Sequence, residues 1–364
     1  MAIIFDAHNH CFPPMGSGDL DVRVPETQYH VRHAWSRFMR RGDNVPLSEP
    51  VLFGDGDGFS WQPDVQFRFG RFGQVELTHN GDDYFFQLVP ASLFDSSAPP
   101  EFTIAQMDFA GVDRAVLQHD RIYGRLDDYL GECVKRYSDR LVALAQVDEW
   151  VGGEPEQLER LRRQVEDLGF SGLYFPTEGF FHTDFRTHVN SSELEPLWEL
   201  VGELGIPIHW HAVSLRRPRL EMYLKEIEEF TTWGRAHPDI PSVLTHGLEN
   251  LRIDIGGSAR FTVPREIREL LDLPNWHLEL MLHKMAFDHE FPPYHPEIPN
   301  VVRTLVDDIG AEKLMWGSDM PSCEEVVTYR QSQLLWRTGC DFLTDNERDG
   351  ILGGNLARLY PLKG

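Results

Sequence analysis

His8 and His10 stand two residues apart in the run Phe5-Asp6-Ala7-His8-Asn9-His10 near the start of the chain. In an extended strand successive side chains point to opposite faces, so residues 8 and 10 share a face and can offer two imidazoles to one cation. Donors of the same kind recur far along the sequence, in Pro207-Ile208-His209-Trp210-His211, in Thr245-His246-Gly247 and in Trp316-Gly317-Ser318-Asp319-Met320-Pro321. Each fragment alone is ambiguous. Among 16 histidines one HxH pair can arise by chance, His246 could be a satisfied core histidine, and Asp319 could cap a following helix. Together, three imidazoles and a carboxylate make a catalytic ligand set for Zn²⁺ or a similar ion, with a position left open for water. Asp6, just before the pair, can hold an imidazole from behind or cap a turn.

These fragments meet only if they end neighbouring strands of one sheet. Short β-rich apolar runs do alternate with amphipathic segments, the rhythm of a parallel sheet with crossover helices. The expected strands are 3–8, 115–118, 141–147, 172–175, 207–211, 242–246, 277–282 and 313–316, and eight is the count that closes a (β/α)8 TIM barrel. Helices are expected over 103–110, 126–137, 156–168, 193–204, 219–236, 264–271, 297–308 and 324–338. A closing helix over 344–360 would carry Thr344 as its cap and a break at Gly353-Gly354. Barrel enzymes build their sites from the carboxyl ends of several strands, which is where these histidines and Asp319 fall. The chain has 364 residues, against ~250 for a plain barrel. The excess is a long, partly β insertion after strand one: residues 1–11 and 100–364 read as the barrel, and 12–99 as a lid over its mouth. The insertion holds the turn-like run Gly54-Asp55-Gly56-Asp57-Gly58 and many aromatic residues, among them Phe53, Phe59, Trp61, Phe67, Phe69, Phe72, Tyr84, Phe85 and Phe86. Their rough alternation suggests hairpins, with most of the rings forming a small core.

The ordered set of HxH, a strand-five histidine, a strand-six histidine and Gly-Ser-Asp-x-Pro after strand eight resembles the amidohydrolase superfamily. The likeness is to the amidohydrolase-2 branch, which includes aminocarboxymuconate-semialdehyde decarboxylase and hydroxybenzoate decarboxylases, and it covers residues 1–11 and about 100–360. It implies that His8, His10, one strand-five histidine and Asp319 bind metal, and that His246 and Asp319 move protons. Alternation leaves His209 and His211 open, because both face one way; the family's spacing from the strand-five proline selects His211. Dinuclear members carry a lysine on strand four, and the stretch Gly172-Leu173-Tyr174-Phe175-Pro176 has none. One divalent ion, Zn²⁺ or Mn²⁺, is therefore expected, with iron as the alternative. Spare donors near other strand ends, His209, His119, Glu178 and His182 among them, could support the site from behind or hold a second ion.

The resemblance tilts the reaction towards non-oxidative decarboxylation or hydrolysis of an aromatic or unsaturated carboxylic acid, with Arg121 or Arg216 to pair with its carboxylate. Both arginines also read as solvated surface charges. A non-heme iron oxygenase acting on a large apolar substrate is the alternative that the spare donors would suit, and a binding protein with an inert metal is another. The formal charge of −24, from 58 acidic and 34 basic residues, repels phosphate backbones and anionic membranes. The expected partner is thus a small molecule, with neither nucleic acid nor membrane, in a cytoplasmic protein that can form a homodimer. The four cysteines lack CxxC spacing and read as reduced, mostly buried thiols.

Overall fold

The computed structural model describes residues 2–15, 38–48, 67–212, 220–248, 251, 261–282 and 294–361. Strand β1 (Phe5–Asn9) is followed by four short strands, β2 (Met39–Arg40), β3 (Arg68–Phe69), β4 (Gln74–His79) and β5 (Asp82–Gln87). Helices and strands then alternate: α1 (Pro100–Ala110), β6 (Arg114–Leu117), α2 (Asp127–Arg136), β7 (Leu141–Ala145), α3 (Pro155–Glu166), β8 (Gly172–Pro176), α4 (Glu195–Leu204) and β9 (Ile208–His211). The series continues through α5 (Leu220–Ala236), β10 (Ser242–Thr245), α6 (Arg265–Leu271), β11 (Trp276–Leu280), α7 (Ile298–Ile309) and β12 (Leu314–Trp316), and ends with α8 (Asp345–Asp349) and α9 (Asn355–Leu359).

Every residue of β6, β7, β10 and β12 is buried, as a parallel strand covered on both faces requires. These strands and β1, β8, β9 and β11 form one sheet in the order β1-β6-β7-β8-β9-β10-β11-β12. The last seam closes just beyond the strands, where Asn9 bridges Met320 in parallel. His10 N donates to the Met320 carbonyl (2.8 Å) and Asp319 N to the His8 carbonyl (2.9 Å). The eight-stranded barrel is therefore near-closed, and site residues make its seam. Phe5, Ala7, Val116, Val142, Leu144, Tyr174, Val243 and Met315 pack inside it, joined by Leu356 and Tyr360 of the chain's last turns. Outside, the helices bury a second layer against the strands. Prolines start α1, α3 and α4, and left-handed Gly111 (φ +72°) and Gly205 (φ +63°) end α1 and α4. Trp198, Trp210, Trp233 and Trp276 interlock between β9, β11 and their helices, which fixes the strand that carries His209 and His211.

The insertion leaves and re-enters at one place, where Phe12 and Ala98 exchange backbone hydrogen bonds of 3.0 Å. It contains an antiparallel sheet in the order β2-β5-β4-β3. Asn80 (φ +52°) and Gly81 (φ +85°) form the two-residue turn between β4 and β5, the left-handed pair that matches the twist of a hairpin. Phe38 packs on Phe86 and Phe67, and this cluster is continuous with the helix-side core of the barrel. Phe72 is exposed, while Phe53, Phe59, Trp61 and the Gly/Asp run lie outside the described residues.

One expected helix does not form. Residues 324–338 break into short turns at Ser322–Glu325, Gln331–Gln333 and Leu335–Gly339. The run Val326-Val327-Thr328 is β-branched, and the Thr328 hydroxyl accepts from Gln331 N (3.2 Å) while the Gln331 side chain accepts from Thr328 N (2.9 Å), so local bonds replace the helical ladder. Among the described residues no helix is long and apolar enough to cross a membrane.

Candidate metal centre

Because Phe5 and Ala7 pack inside the barrel, strict alternation would turn residue 8 outward. The register of β1 against β6 slips between Asp6 and Asn9, and this bulge brings His8, and then His10, to the inside. Asp6 holds the bulge. Fully buried, it accepts from His8 N (3.1 Å), Ser318 N (2.8 Å), the Ser318 hydroxyl (2.6 Å), the Tyr329 hydroxyl (2.7 Å) and the Asn9 amide (3.3 Å). Burial pushes its carboxyl up to about 6 against these bonds. Of the two roles open to Asp6, fastening the turn is the one these bonds serve, and they tie β1 to the Gly317–Asp319 turn.

His8 Nδ1 lies 2.8 Å from Glu279 Oε1, and His10 Nδ1 lies 3.0 Å from the Gln118 backbone carbonyl. A carbonyl and a carboxylate oxygen only accept, so each imidazole carries its proton on Nδ1 and turns the Nε2 lone pair inward. Those two lone pairs stand 3.1 Å apart, and Asp319 Oδ1 stands 2.9 Å from His10 Nε2 and 3.8 Å from His8 Nε2. His8, His10 and Asp319 are all buried, and their donor atoms fall within 4.8 Å of one another. Three electron-rich atoms this close repel unless a cation lies among them. Donors ~2.0–2.1 Å from a tetrahedral zinc sit about 3.3 Å from each other, close to the spacing seen. These residues fit a divalent ion.

His246 packs edge-on to His8, with ring centres 4.8 Å apart, and stacks on His211 at 4.3 Å and 15°. His211 Nδ1 is 2.8 Å from the Tyr174 hydroxyl, which stands at the inner position of the fourth barrel strand, β8. Both His246 (φ +53°) and Asp319 (φ +55°) take the left-handed conformation, a local strain that points to a function for the residues held there. On the other side Tyr123 packs on the His10 ring at 5.0 Å and stacks on Phe12 at 4.3 Å. The five residues singled out for the centre, His8, His10, His211, His246 and Asp319, thus gather at the carboxyl end of the barrel.

The spare donors are placed differently. His209 shares a face with His211, one layer deeper; its Nε2 is 2.8 Å from the Tyr360 hydroxyl and its Nδ1 3.4 Å from the Gln118 amide. Burial lowers its pKa to about 4, which keeps it neutral. His119 is buried with Nε2 on the Gly124 carbonyl, and burial lowers it to about 4 as well. Glu178 and His182 lie on the turn after β8. Glu178 is buried, and the His182 ring packs at a tilt on Trp150 (3.8 Å) and Phe181 (4.1 Å). The Arg121 guanidinium donates to Asp148 (3.1 Å), Glu149 (2.5 Å) and the Val147 carbonyl (2.8 Å) and lies over Trp150, so two of the chain's own carboxylates engage it. Arg216 and its neighbour Arg217 lie outside the described residues.

Comparison with known proteins places the fold. The family profile described as amidohydrolase matches residues 5–362. The chain belongs to the amidohydrolase family. This amidohydrolase barrel superposes on a probable 2-pyrone-4,6-dicarboxylic acid hydrolase from Acinetobacter baumannii, solved with citric acid bound, with a TM-score of 0.54 and 14% identity over 98% of each chain. A dihydroxybenzoic acid decarboxylase from a Polaromonas species, with bound manganese and the inhibitor 2-nitroresorcinol, gives 0.50 and 16%, over 71% of this chain and 84% of that one. An amidohydrolase from Burkholderia multivorans with bound zinc gives 0.53 and 18%, over 73% and 89%. At these identities the solved structures share the fold. No curated protein matches the chain.

Sequence reasoning missed two residues beside the candidate centre, Glu279 and Gln118. Glu279 Oε2 accepts from the Gln118 side chain (2.8 Å), and burial raises the Glu279 carboxyl. The available signal was a lone glutamate in the apolar strand Trp276-His277-Leu278-Glu279-Leu280, since acidic groups are rarely buried without a partner.

Proposed function

We propose that this chain is a metal-dependent enzyme that decarboxylates or hydrolyses an aromatic or unsaturated carboxylic acid. One observation carries the reading: two imidazole lone pairs and a carboxylate oxygen converge in a buried cluster beside His246, at the open end of the barrel. His8, His10 and Asp319 would hold one Zn²⁺ or Mn²⁺, with His211 completing the set. The bound ion supplies a Lewis acid that can take a substrate's carboxylate and phenolate oxygens or lower the pKa of a water. The chain's own groups do the rest. His246 gives a proton to the ring carbon that bears the carboxylate; the bond to that carboxylate then breaks, CO₂ leaves, and its electron pair restores the unsaturated system. In hydrolysis the same imidazole takes a proton from water. Tyr123, packed on the His10 ring and backed by the buried Phe12, gives the centre an aromatic neighbour suited to a flat substrate.

The iron oxygenase reading draws less support, because two of the spare donors it would use are buried against other groups, His119 on the Gly124 carbonyl and His209 on the Tyr360 hydroxyl. The test is elemental analysis of the purified protein, followed by assays with 2,6-dihydroxybenzoate for CO₂ release and with 2-pyrone-4,6-dicarboxylate for ring opening, with and without oxygen. The expected result is one zinc or manganese per chain and oxygen-independent turnover of a compound of this class. A chain without stoichiometric metal would overturn the reading, and an iron pair with oxygen-dependent turnover would replace it.

A further inference from the structure

We propose that Glu279 and Gln118 are the positioning pair that sets the tautomer of both ligand imidazoles, and through it the affinity of the centre for its ion. The proposal rests on the metal-binding reading above and adds to it the residues that make the two histidines ligands. Neither residue touches the cluster of inward-facing donors; both act from behind it.

Gln118 reaches His10 directly and His8 through Glu279. Its backbone carbonyl accepts from His10 Nδ1 at 3.0 Å. Its side-chain nitrogen lies 2.8 Å from Glu279 Oε2, 3.0 Å from the Ala7 carbonyl and 3.4 Å from His209 Nδ1. An amide nitrogen has two protons, and the two shorter contacts take them. Glu279 in turn presents Oε1 to His8 Nδ1 at 2.8 Å and Oε2 to Gln118, and its carboxylate also accepts from the His246 backbone N–H. A carboxylate offers each side-chain donor an oxygen of its own and carries no N–H to oppose either. The pair has no room to drift. Glu279 and Gln118 are buried, and a Cβ added at Gly317 would lie 3.0 Å from both Glu279 Cγ and His8 Cβ. The glycine of the Gly-Ser-Asp turn therefore lets the carboxylate and the imidazole lie together. A carboxylate behind a metal-bound imidazole fixes its ring and raises its basicity; here one bond network spanning β1, β6 and β11 does so for two rings.

The decisive variant is Glu279→Gln. Its side chain has the same shape, but one end is now an NH₂, so a donor faces a donor whichever way it turns. Turned towards His8, the NH₂ drives the proton from Nδ1 to Nε2 and removes the inward lone pair; turned towards Gln118, it frees the amide that anchors the pair. Metal-free protein, wild type and variant, would be titrated with Zn²⁺ against a chromophoric chelator. Thermal melting of the same samples reports folding, and nitrogen-15 NMR reports the imidazole tautomers. We expect Zn²⁺ to bind the variant ~10–100-fold more weakly, with a melting temperature near that of wild type and a change in the His8 tautomer signal. Unchanged affinity and an unchanged tautomer in a folded variant would overturn the proposal. If Glu279→Gln does not fold, Gln118→Met decides: weakened Zn²⁺ binding supports the pair and wild-type affinity overturns it. Failure of wild-type protein to take up a stoichiometric ion would defeat the metal reading and this proposal with it, an outcome distinct from equal binding by wild type and variants.

Discussion

At the scale of single residues, the chemistry of the centre depends on where two protons sit. A neutral imidazole has one N–H and one lone pair, and Glu279 and the Gln118 carbonyl claim the N–H on the side away from the cluster. Removing a donor should then empty the site without unfolding the chain. His8→Ala and Asp319→Ala are each expected to reduce bound metal to background in elemental analysis with an unchanged circular dichroism spectrum; full metal in both would sink the ligand assignment. His246→Ala should keep its metal and lose ~10²–10⁴-fold in turnover, the usual worth of a positioned acid or base, and a near-normal rate would show that another group moves the proton. His211→Ala should unseat the ion. His209→Ala should not, but should cost about 2–4 kcal/mol in urea unfolding, because it leaves a cavity and strips the Tyr360 hydroxyl of its partner. The donors were legible in the sequence because HxH and Gly-Ser-Asp-x-Pro carry a spacing. Glu279 and Gln118 carry none, since they lie on different strands and meet only across the barrel.

At the scale of elements, β1 does two jobs that plain alternation cannot combine, sending Phe5 and Ala7 into the barrel and then His8 and His10 as well. The bulge resolves this, and Asp6 with Tyr329 braces it. Tyr329→Phe is expected to lower stability by about 1–2 kcal/mol, as the loss of one bond to a buried carboxyl does, with the deficit visible in urea unfolding. The closing segment works in the same way. Thr344 and Glu347 form the reciprocal cap expected at its start, and the break falls at Gly353, where a Cβ would lie 2.4 Å from the Ile3 carbonyl and 2.6 Å from Phe5 N. Gly353→Ala should force α9 away from β1 and cost about 1–3 kcal/mol, seen as a lower urea midpoint at constant slope; an unchanged midpoint would show that the contact relaxes freely.

At the scale of the whole molecule, buried titrating groups outside the ligand set impose opposing limits on stability. Burial depresses His119 from the ordinary 6.5 to about 4. The unfolded chain therefore binds the proton first, and about 3 kcal/mol present above pH 6.5 is lost as pH falls towards 4. Glu149 and Glu226 act in the other direction. Burial raises them from 4.5 to about 7 and about 8, so their contribution is present below pH 4.5 and is lost as pH rises through those values. Glu226 is partly exposed as a residue, but its Oε2 is enclosed and has no hydrogen-bond partner among the described residues. Glu226→Gln should therefore raise the melting temperature relative to wild type more at about pH 9 than at about pH 4.5; an equal shift at both would show that the carboxyl ionises freely in the folded chain. The charge of −24 adds self-repulsion on the alkaline side.

The sequence by itself determined the eight strands, most of the helices between them and the residue types of the centre, because burial on both faces, helix starts, helix stops and short donor spacings are local properties of the chain. It could not show that 324–338 breaks into turns, where side-chain bonds compete with the helix, nor that the insertion's aromatic cluster runs into the barrel's own core. Only the tertiary structure decided which face of β1 carries His8 and His10, that His209 lies a layer below His211, and that Glu279 and Gln118 stand behind the two imidazoles. Each of these depends on a register slip or on contacts between segments far apart in sequence, and no spacing along the chain encodes such a distance.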